Sequence, residues 1–260
     1  MNEASHPPIP PVSKRNAPIF HDLEHRTTSA RAFHQGSTVY HDVRPGYPSE
    51  VLELVSGRSR VLDVGAGTGK LTGAIVADQV YALDPSLDML QVFQRAHPHI
   101  PCWQATAEHT GAADHAFDLI TCAQTWHWVD TQTASKEFDR VLKPGGAVLL
   151  VWNNLDTSIP WVHRLTRIMH AGDILKQGFV PDCAHPWSIT HTVRTTWAQR
   201  LTPEEIIQLA HTRSYWLNAS PKTQERVDNN LRWYLYEHLE FEPHVALDLP
   251  YRCDAFLLQR

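Results

Sequence analysis

The segment from Val61 to Thr72 reads VLDVGAGTGKLT, an apolar run interrupted by Asp63, then glycines at 65, 67 and 69, then apolar residues at helical spacing. Glycine takes up the positive φ angles of a tight turn, and without a Cβ it lets a ligand come close to the backbone. A strand that passes through such a loop into a helix aims backbone N–H groups at whatever binds there. This turn belongs to layered α/β architectures and is hard to place in an all-helical or all-β chain.

The surrounding sequence repeats the alternation. Arg60–Val64 (RVLDV) predicts a strand, and Leu71, Ala74 and Ile75 predict a helix after the glycines. Gln79–Leu83 (QVYAL) predicts a second strand ending at Asp84, and Ser86 is placed to cap a helix carrying Leu87, Leu90 and Phe93, stopped by Pro98. Pro101–Ala105 and Phe117–Cys122 predict strands, Thr133–Leu142 a helix, and Lys143–Gly146 (KPGG) a tight turn. Ala147–Trp152 (AVLLVW) is nearly all apolar, as in the buried middle of a parallel sheet. Upstream, Ser49 is placed to cap a short helix with Val51, Leu52, Leu54 and Val55 that Gly57 ends. Strand and helix thus alternate from 60 to 152, the signature of a doubly wound parallel sheet that binds ligands beyond the strands' carboxyl ends.

From 153 onward the pattern changes. Pro160 starts a helix, Thr190–Trp197 alternates like a strand, and Thr202-Pro-Glu-Glu205 is a capping box. Ser220-Pro221 starts a longer helix with Val227, Leu231, Leu235 and Leu239, and RCDAFLLQR predicts a closing strand. The organisation expected is a Pro-rich tail over 1–30, a ligand-binding core over 31–153, a divergent substrate or lid region over 154–245, and a strand over 246–260 that completes the sheet.

The net charge of −5 with neutral histidines opposes nucleic acid or an anionic membrane as main partner, since both demand a basic face. No apolar run approaches the length of a membrane span, and MNEASHPPIPPVSKRN lacks the layout of a signal peptide. A cytoplasmic location is expected, with the four cysteines reduced. None of the 17 histidines falls in a zinc spacing, so no metal is expected.

Two ligand classes use such a glycine loop. Dinucleotides prefer G-x-G-x-x-G with an acidic residue roughly 20 positions on for the ribose. Here the glycines are one position tighter, and Asp84 lies 19 residues after Gly65, which serves either class. Asp63, two residues before the first glycine, suits a cationic amino group and suits a pyrophosphate badly.

Three further stretches follow in order: ALDPSLDML from Ala82, ATAEHTGAADHAFDLI from Ala105 and LKPGG from Leu142. Together with the glycine loop they make residues 38 to 153 resemble the class I S-adenosylmethionine-dependent methyltransferases. The resemblance implies a seven-stranded, mostly parallel Rossmann-like sheet with a helical insertion, and S-adenosyl-L-methionine as cofactor. It implies that Asp63 and the loop Gly65, Ala66, Gly67, Thr68 and Gly69 hold the methionine moiety. Asp84 would accept the ribose hydroxyls. Pro85, Met89, Ala107 and Glu108 would surround the adenine. Gln124 and Thr125 would approach the methyl group.

The segment from Tyr40 to Pro48, YHDVRPGYP, narrows this to a small-molecule subgroup resembling trans-aconitate methyltransferase and its relatives, as do HTRSYWL from His211 and LPYRCDAFLLQR at the end. By that resemblance Arg44 meets the cofactor carboxylate, and Tyr40 and Tyr47 come down as lid contacts. The plain alternative is a turn with a packed tyrosine.

The stretch Gln124-Thr-Trp-His-Trp-Val129 falls where chemistry is expected, and His127 is its best-placed imidazole. It is a base, a substrate contact or a packed histidine. A carboxylate acceptor needs no base, because it is ionised at neutral pH, whereas a hydroxyl benefits from one. Trp161, Trp187, Trp197, Trp216 and Trp233 either pack the insertion or line a lid, with packing favoured. His185, Arg194 and Arg213 are candidates for an anionic acceptor, though each reads more simply as a solvated surface residue. The reading is methyl transfer to oxygen of a small molecule by a monomer or homodimer. The alternatives are an NAD(P)-dependent oxidoreductase and a non-catalytic cofactor-binding protein. Ala123-Gln-Thr-Trp126 also lacks the Asn/Asp-Pro-Pro-aromatic motif of enzymes that methylate nucleic-acid amino groups.

Overall fold

The computed structural model describes residues 41–171 and 174–260. The expected tail over 1–30 and Tyr40 lie outside the described residues. Seven strands, β1 (Arg60–Val64), β2 (Gln79–Asp84), β3 (Cys102–Gln104), β4 (Phe117–Ala123), β5 (Leu142–Leu155), β6 (Ser188–Leu201) and β7 (Leu247–Gln259), form one sheet in the order β3-β2-β1-β4-β5-β7-β6. The first five are mutually parallel, and β7 runs antiparallel to both β5 and β6. The strand order reverses between β1 and β4, which opens the crevice where such sheets bind ligands.

The helices are α1 (Ser49–Leu52), α2 (Leu87–Ala96), α3 (Thr131–Val141), α4 (Pro160–Ile168), α5 (Pro203–His211), α6 (Ser214–Leu217) and α7 (Pro221–Arg232), the last continuing as a π turn over Trp233–His238. Ser86 caps α2 by accepting the Met89 N–H, and the Thr202–Glu205 box with Pro203 opens α5 as the sequence predicts. Ser220 likewise caps α7.

Three expectations need correction. No α-helix follows the glycine loop: only a 3₁₀ turn forms at Thr72–Ala74. Gly69 has φ +88° and Gly73 interrupts the segment, so two weak helix formers flank a stretch already short before β2. The imidazole of His97 packs where a Cβ on either glycine would stand. Second, Pro48 holds the cap position of α1, and the Ser49 hydroxyl donates to Glu50 rather than accepting a helix N–H. Third, KPGG is a bulge inside β5: Phe117 pairs with Leu142 and Leu119 with Ala147, so the intervening residues loop out around Gly145 at φ +78°.

Apolar residues pack on both faces of the sheet. One cluster joins Leu62, Leu83, Ile120, Phe138, Trp152 and Phe256, and the other joins Val61, Leu119, Leu149 and Val55. A third cluster belongs to the second half, where α4, α5 and α7 bury Leu165, Ile207, Leu231 and Tyr234 against Tyr251 of β7. Among the described residues no helix is long and apolar enough to cross a membrane.

Candidate active site

The glycine loop leaves β1 toward the crevice. Gly65 and Ala66 donate their N–H groups to the Leu83 carbonyl of β2, at 2.9 and 3.0 Å, which bends the chain across the neighbouring strand. Gly65 and Gly67 have φ +68° and +56°. The two glycines serve different ends. A Cβ on Gly65 would collide with the Thr125 side chain, whereas a Cβ on Gly67 would meet nothing within 4 Å among the described residues. Gly65 is therefore a packing glycine, and Gly67 keeps open space over the loop.

Asp84, at the end of β2, closes this loop. Its carboxylate accepts the Gly67 N–H at 2.9 Å and the Ser86 N–H at 2.8 Å, and the residue is 7% exposed. Asp63 lies deeper, accepting the hydroxyls of Thr72 at 2.5 Å and Thr121 at 2.7 Å. Both threonines are buried, and nothing in their local sequence marks either as a partner.

Burial pushes the Asp63 carboxyl from its ordinary 3.8 up to about 6; the two threonine hydroxyls oppose that shift and Asp84 adds to it. The folded chain therefore holds this proton more tightly than the unfolded chain. Stability contributed by the group falls as pH rises from about 4 to about 6, and above that window the buried charge costs on the order of 2–3 kcal/mol. Asp63→Asn removes that cost. Its melting temperature at pH 8 is expected to exceed that of the wild type by about 4–8 °C, with the gain gone at pH 4. Thermal melts at the two pH values check this, and a gain that is equal at both contradicts it.

The remaining predicted residues follow the ends of β2, β3 and β4. Met89 is buried behind Ser86, and the exposed Pro85 offers its carbonyl to Gln104 at 2.9 Å. Ala107 is buried, while Glu108 turns its carboxylate onto the Asp130 N–H at 2.8 Å, so its side chain caps the start of α3. Gln124 has φ +53°, and its amide donates to the Asn153 carbonyl. The Thr125 hydroxyl stands 3.1 Å from the Gly65 carbonyl and 2.9 Å from that of Ala123. The loop after β4 is thus locked against the glycine loop.

Arg44 donates to the Thr212 carbonyl at 2.8 Å, tying the segment over the crevice to the end of α5, and Tyr47 packs on the sheet. Asn153 joins these parts. Its side chain donates to the Gly46 carbonyl at 2.7 Å and accepts the Trp197 N–H at 3.0 Å. Sequence reasoning missed it, although an Asn pair directly after the apolar run AVLLVW, at the ligand edge, was a usable sign.

His127 sits on a 3₁₀ turn between Trp126 and Trp128, and its Nδ1 stands 3.3 Å from the Trp152 indole nitrogen. Most tryptophans of the second half pack: Trp187 donates to the Ser135 carbonyl, Trp161 meets Phe241 edge-on, and Trp216 stacks on His211. Trp126 likewise donates to the Asp182 carbonyl. Arg213 is buried, so it is not the solvated surface residue expected, whereas His185 and Arg194 are exposed, Arg194 donating to the Phe179 carbonyl. Among the described residues no group of His, Cys, Asp and Glu is placed to hold a metal.

Residues 62–150 match the family model described as a methyltransferase domain. An uncharacterized methyltransferase of Mycobacterium tuberculosis is 36% identical over 223 residues, covering 83% of this chain and 91% of that protein. The chain belongs to the class I methyltransferase family. A demethylmenaquinone methyltransferase of Streptomyces avermitilis is 37% identical to this methyltransferase over 106 residues, covering 39% of this chain and 46% of that protein. A solved chain from Anaeromyxobacter dehalogenans, a candidate type II methyltransferase, shares the fold at TM-score 0.58 and 21% identity, covering 82% of this chain and 97% of that one. Within the methyltransferase, the acidic pair Asp63 and Asp84, the open face of Gly67 and the buried, unpartnered Thr68 hydroxyl all border one loop.

Proposed function

We propose that this methyltransferase uses S-adenosylmethionine to methylate a small molecule on oxygen. The observation that carries the reading is the Asp84 carboxylate beside the open face of Gly67. Two acidic groups at a glycine loop favour an ammonium group and ribose hydroxyls, and they repel a pyrophosphate. The residues fit the cofactor, whose sulfonium supplies an activated methyl group when bound. Asp63 and the Gly65–Gly69 backbone would hold its amino-acid end, Asp84 its ribose, and Pro85, Met89, Ala107 and Glu108 its base. Gln124 and Thr125 would face the methyl group, with Arg44 and Tyr47 above. The protein's contribution is then orientation and exclusion of water.

The family relative named for demethylmenaquinone supports a small-molecule acceptor. The net charge of −5 argues in the same direction, away from nucleic acid. Calorimetric titration of the full chain tests the cofactor. Micromolar binding of S-adenosylhomocysteine and none of NADH is expected; the reverse order overturns the reading. Transfer of isotope-labelled methyl to small carboxylates and phenols then tests the acceptor class.

A further inference from the structure

β5 outruns its neighbour. Ala123, the last residue of β4, pairs with Val151, so Trp152–Leu155 extend past β4 on the edge where the glycine loop leaves the parallel β1. Antiparallel β7 covers that extension, with Asn153 opposite Cys253. Asn153 is 6% exposed, so its amide is costly unless both ends are paired. The nitrogen donates to the Gly46 carbonyl at 2.7 Å, and the oxygen accepts the Trp197 indole N–H at 3.0 Å. An indole nitrogen only donates and a peptide carbonyl only accepts, so the chemistry allows one orientation of this amide. Trp197 is itself stacked on Tyr251 at 5.3 Å, which fixes the direction of its N–H.

We propose that Asn153 is a positioning residue for the cofactor: its side chain, oriented by Trp197, holds the turn Arg44–Pro48 in place at the ligand edge, and cofactor affinity depends on that hold. The proposal rests on the reading above, in which Arg44 and Tyr47 lie over the bound cofactor. Gly46 stands between those two residues, so the bond to its carbonyl sets where both side chains start. Either side of the turn is tied to β6 by other means. Gln199 donates to the Val43 carbonyl at 3.1 Å, and the Thr195 hydroxyl donates to Glu50 at 2.8 Å. Asn153 takes the turn itself. Its backbone carbonyl separately accepts the Gln124 amide, and a side-chain substitution leaves that bond in place.

A carboxyl in place of the amide gives the test a pH handle. Ionised, it sets a negative oxygen against the Gly46 carbonyl. Protonated, its O–H donates to that carbonyl while the other oxygen still accepts from Trp197. Burial raises such a carboxyl above its ordinary value of about 3.9. Arg44 and Tyr47 flank the turn, Glu50 follows it, Cys253 faces Asn153 from β7, and Asp63 titrates at the glycine loop at about 6, so each variant is compared with the wild type at the same pH. In calorimetric titration of the full chain with S-adenosylhomocysteine, Asn153→Asp is expected to bind roughly tenfold or more weakly than the wild type at pH 8, and within about threefold of it at pH 5. Asn153→Ala, which cannot donate at either pH, is expected to stay roughly tenfold or more weaker at both. Trp197→Phe keeps an aromatic ring but frees the amide to turn, and is expected to lose about three- to tenfold. Thermal melts run alongside. Lower melting temperatures with affinities within about threefold of the wild type overturn the proposal, because the residue then only stabilises the fold. An Asn153→Asp deficit equal at the two pH values overturns the role of the Gly46 bond. If neither Asn153 variant folds, Trp197→Phe decides, and wild-type affinity in that folded chain overturns the proposal. A wild type that does not bind S-adenosylhomocysteine sinks the cofactor assignment itself, a failure distinct from the others.

Discussion

Asp84→Ala is expected to weaken S-adenosylhomocysteine binding by roughly 100- to 10,000-fold while the chain stays folded. A hydrogen bond to a charged group contributes about 1.5–3 kcal/mol, and Asp84 is assigned two ribose hydroxyls. Two such bonds correspond to the stated loss of affinity, since each factor of ten is about 1.4 kcal/mol. The same carboxylate secures the Gly67 and Ser86 N–H groups, so the substitution also loosens the loop and enlarges the effect. Stability is expected to drop by about 2–4 kcal/mol, because the Gly67 and Ser86 N–H groups both lose their acceptor and Ser86 is buried. Calorimetry with a parallel thermal melt checks both halves. Binding within threefold of the wild type would show that the ribose site lies elsewhere.

The second large effect separates two glycines that look alike in the sequence. Gly65→Ala is expected to destabilise the fold by about 2–5 kcal/mol. Roughly 1–2 kcal/mol comes from a non-glycine residue held at positive φ, and about 1–3 kcal/mol from overpacking against Thr125. The melting temperature should fall by about 5–15 °C, and Thr125→Ala in the same chain should restore part of it. Gly67→Ala is expected to cost only about 1 kcal/mol, since its Cβ meets no atom of the described residues. It should nevertheless weaken cofactor binding at least tenfold, because the new methyl group occupies the open face. If Gly65→Ala melted with Gly67→Ala, the assignment of a packing glycine and a ligand glycine would be wrong.

β1, β2, β4 and β5 were readable because each carries a dense apolar run bounded by turn residues, and β6 because Thr190–Trp197 alternates; the parallel order of the first strands followed from their alternation with helices. The helix after the glycine loop was misread for a local reason. Leu71, Ala74 and Ile75 have helical spacing, but Gly69 and Gly73 yield to the ring of His97, a residue distant in sequence. The positions of Asp63 and Asp84 at strand ends were readable from the sequence. Their partners were not, because Thr72 and Thr121 sit in ordinary apolar surroundings and only the sheet brings them to the carboxylate. The contact between His127 and Trp152 joins the loop after β4 to the end of β5, and no spacing rule encodes it.

The place of β7 has a consequence for biosynthesis. Among the described residues β6 pairs only with β7, and β7 is the strand that covers the edge of β5. About 90 residues separate the end of β5 from the start of β7. At ribosomal speed that interval lasts roughly 5–20 s. During it the nascent chain carries a nearly all-apolar strand with one uncovered edge, a template for pairing with another copy. Crowded polysomes should therefore make this protein dependent on holdase chaperones until its last strand emerges.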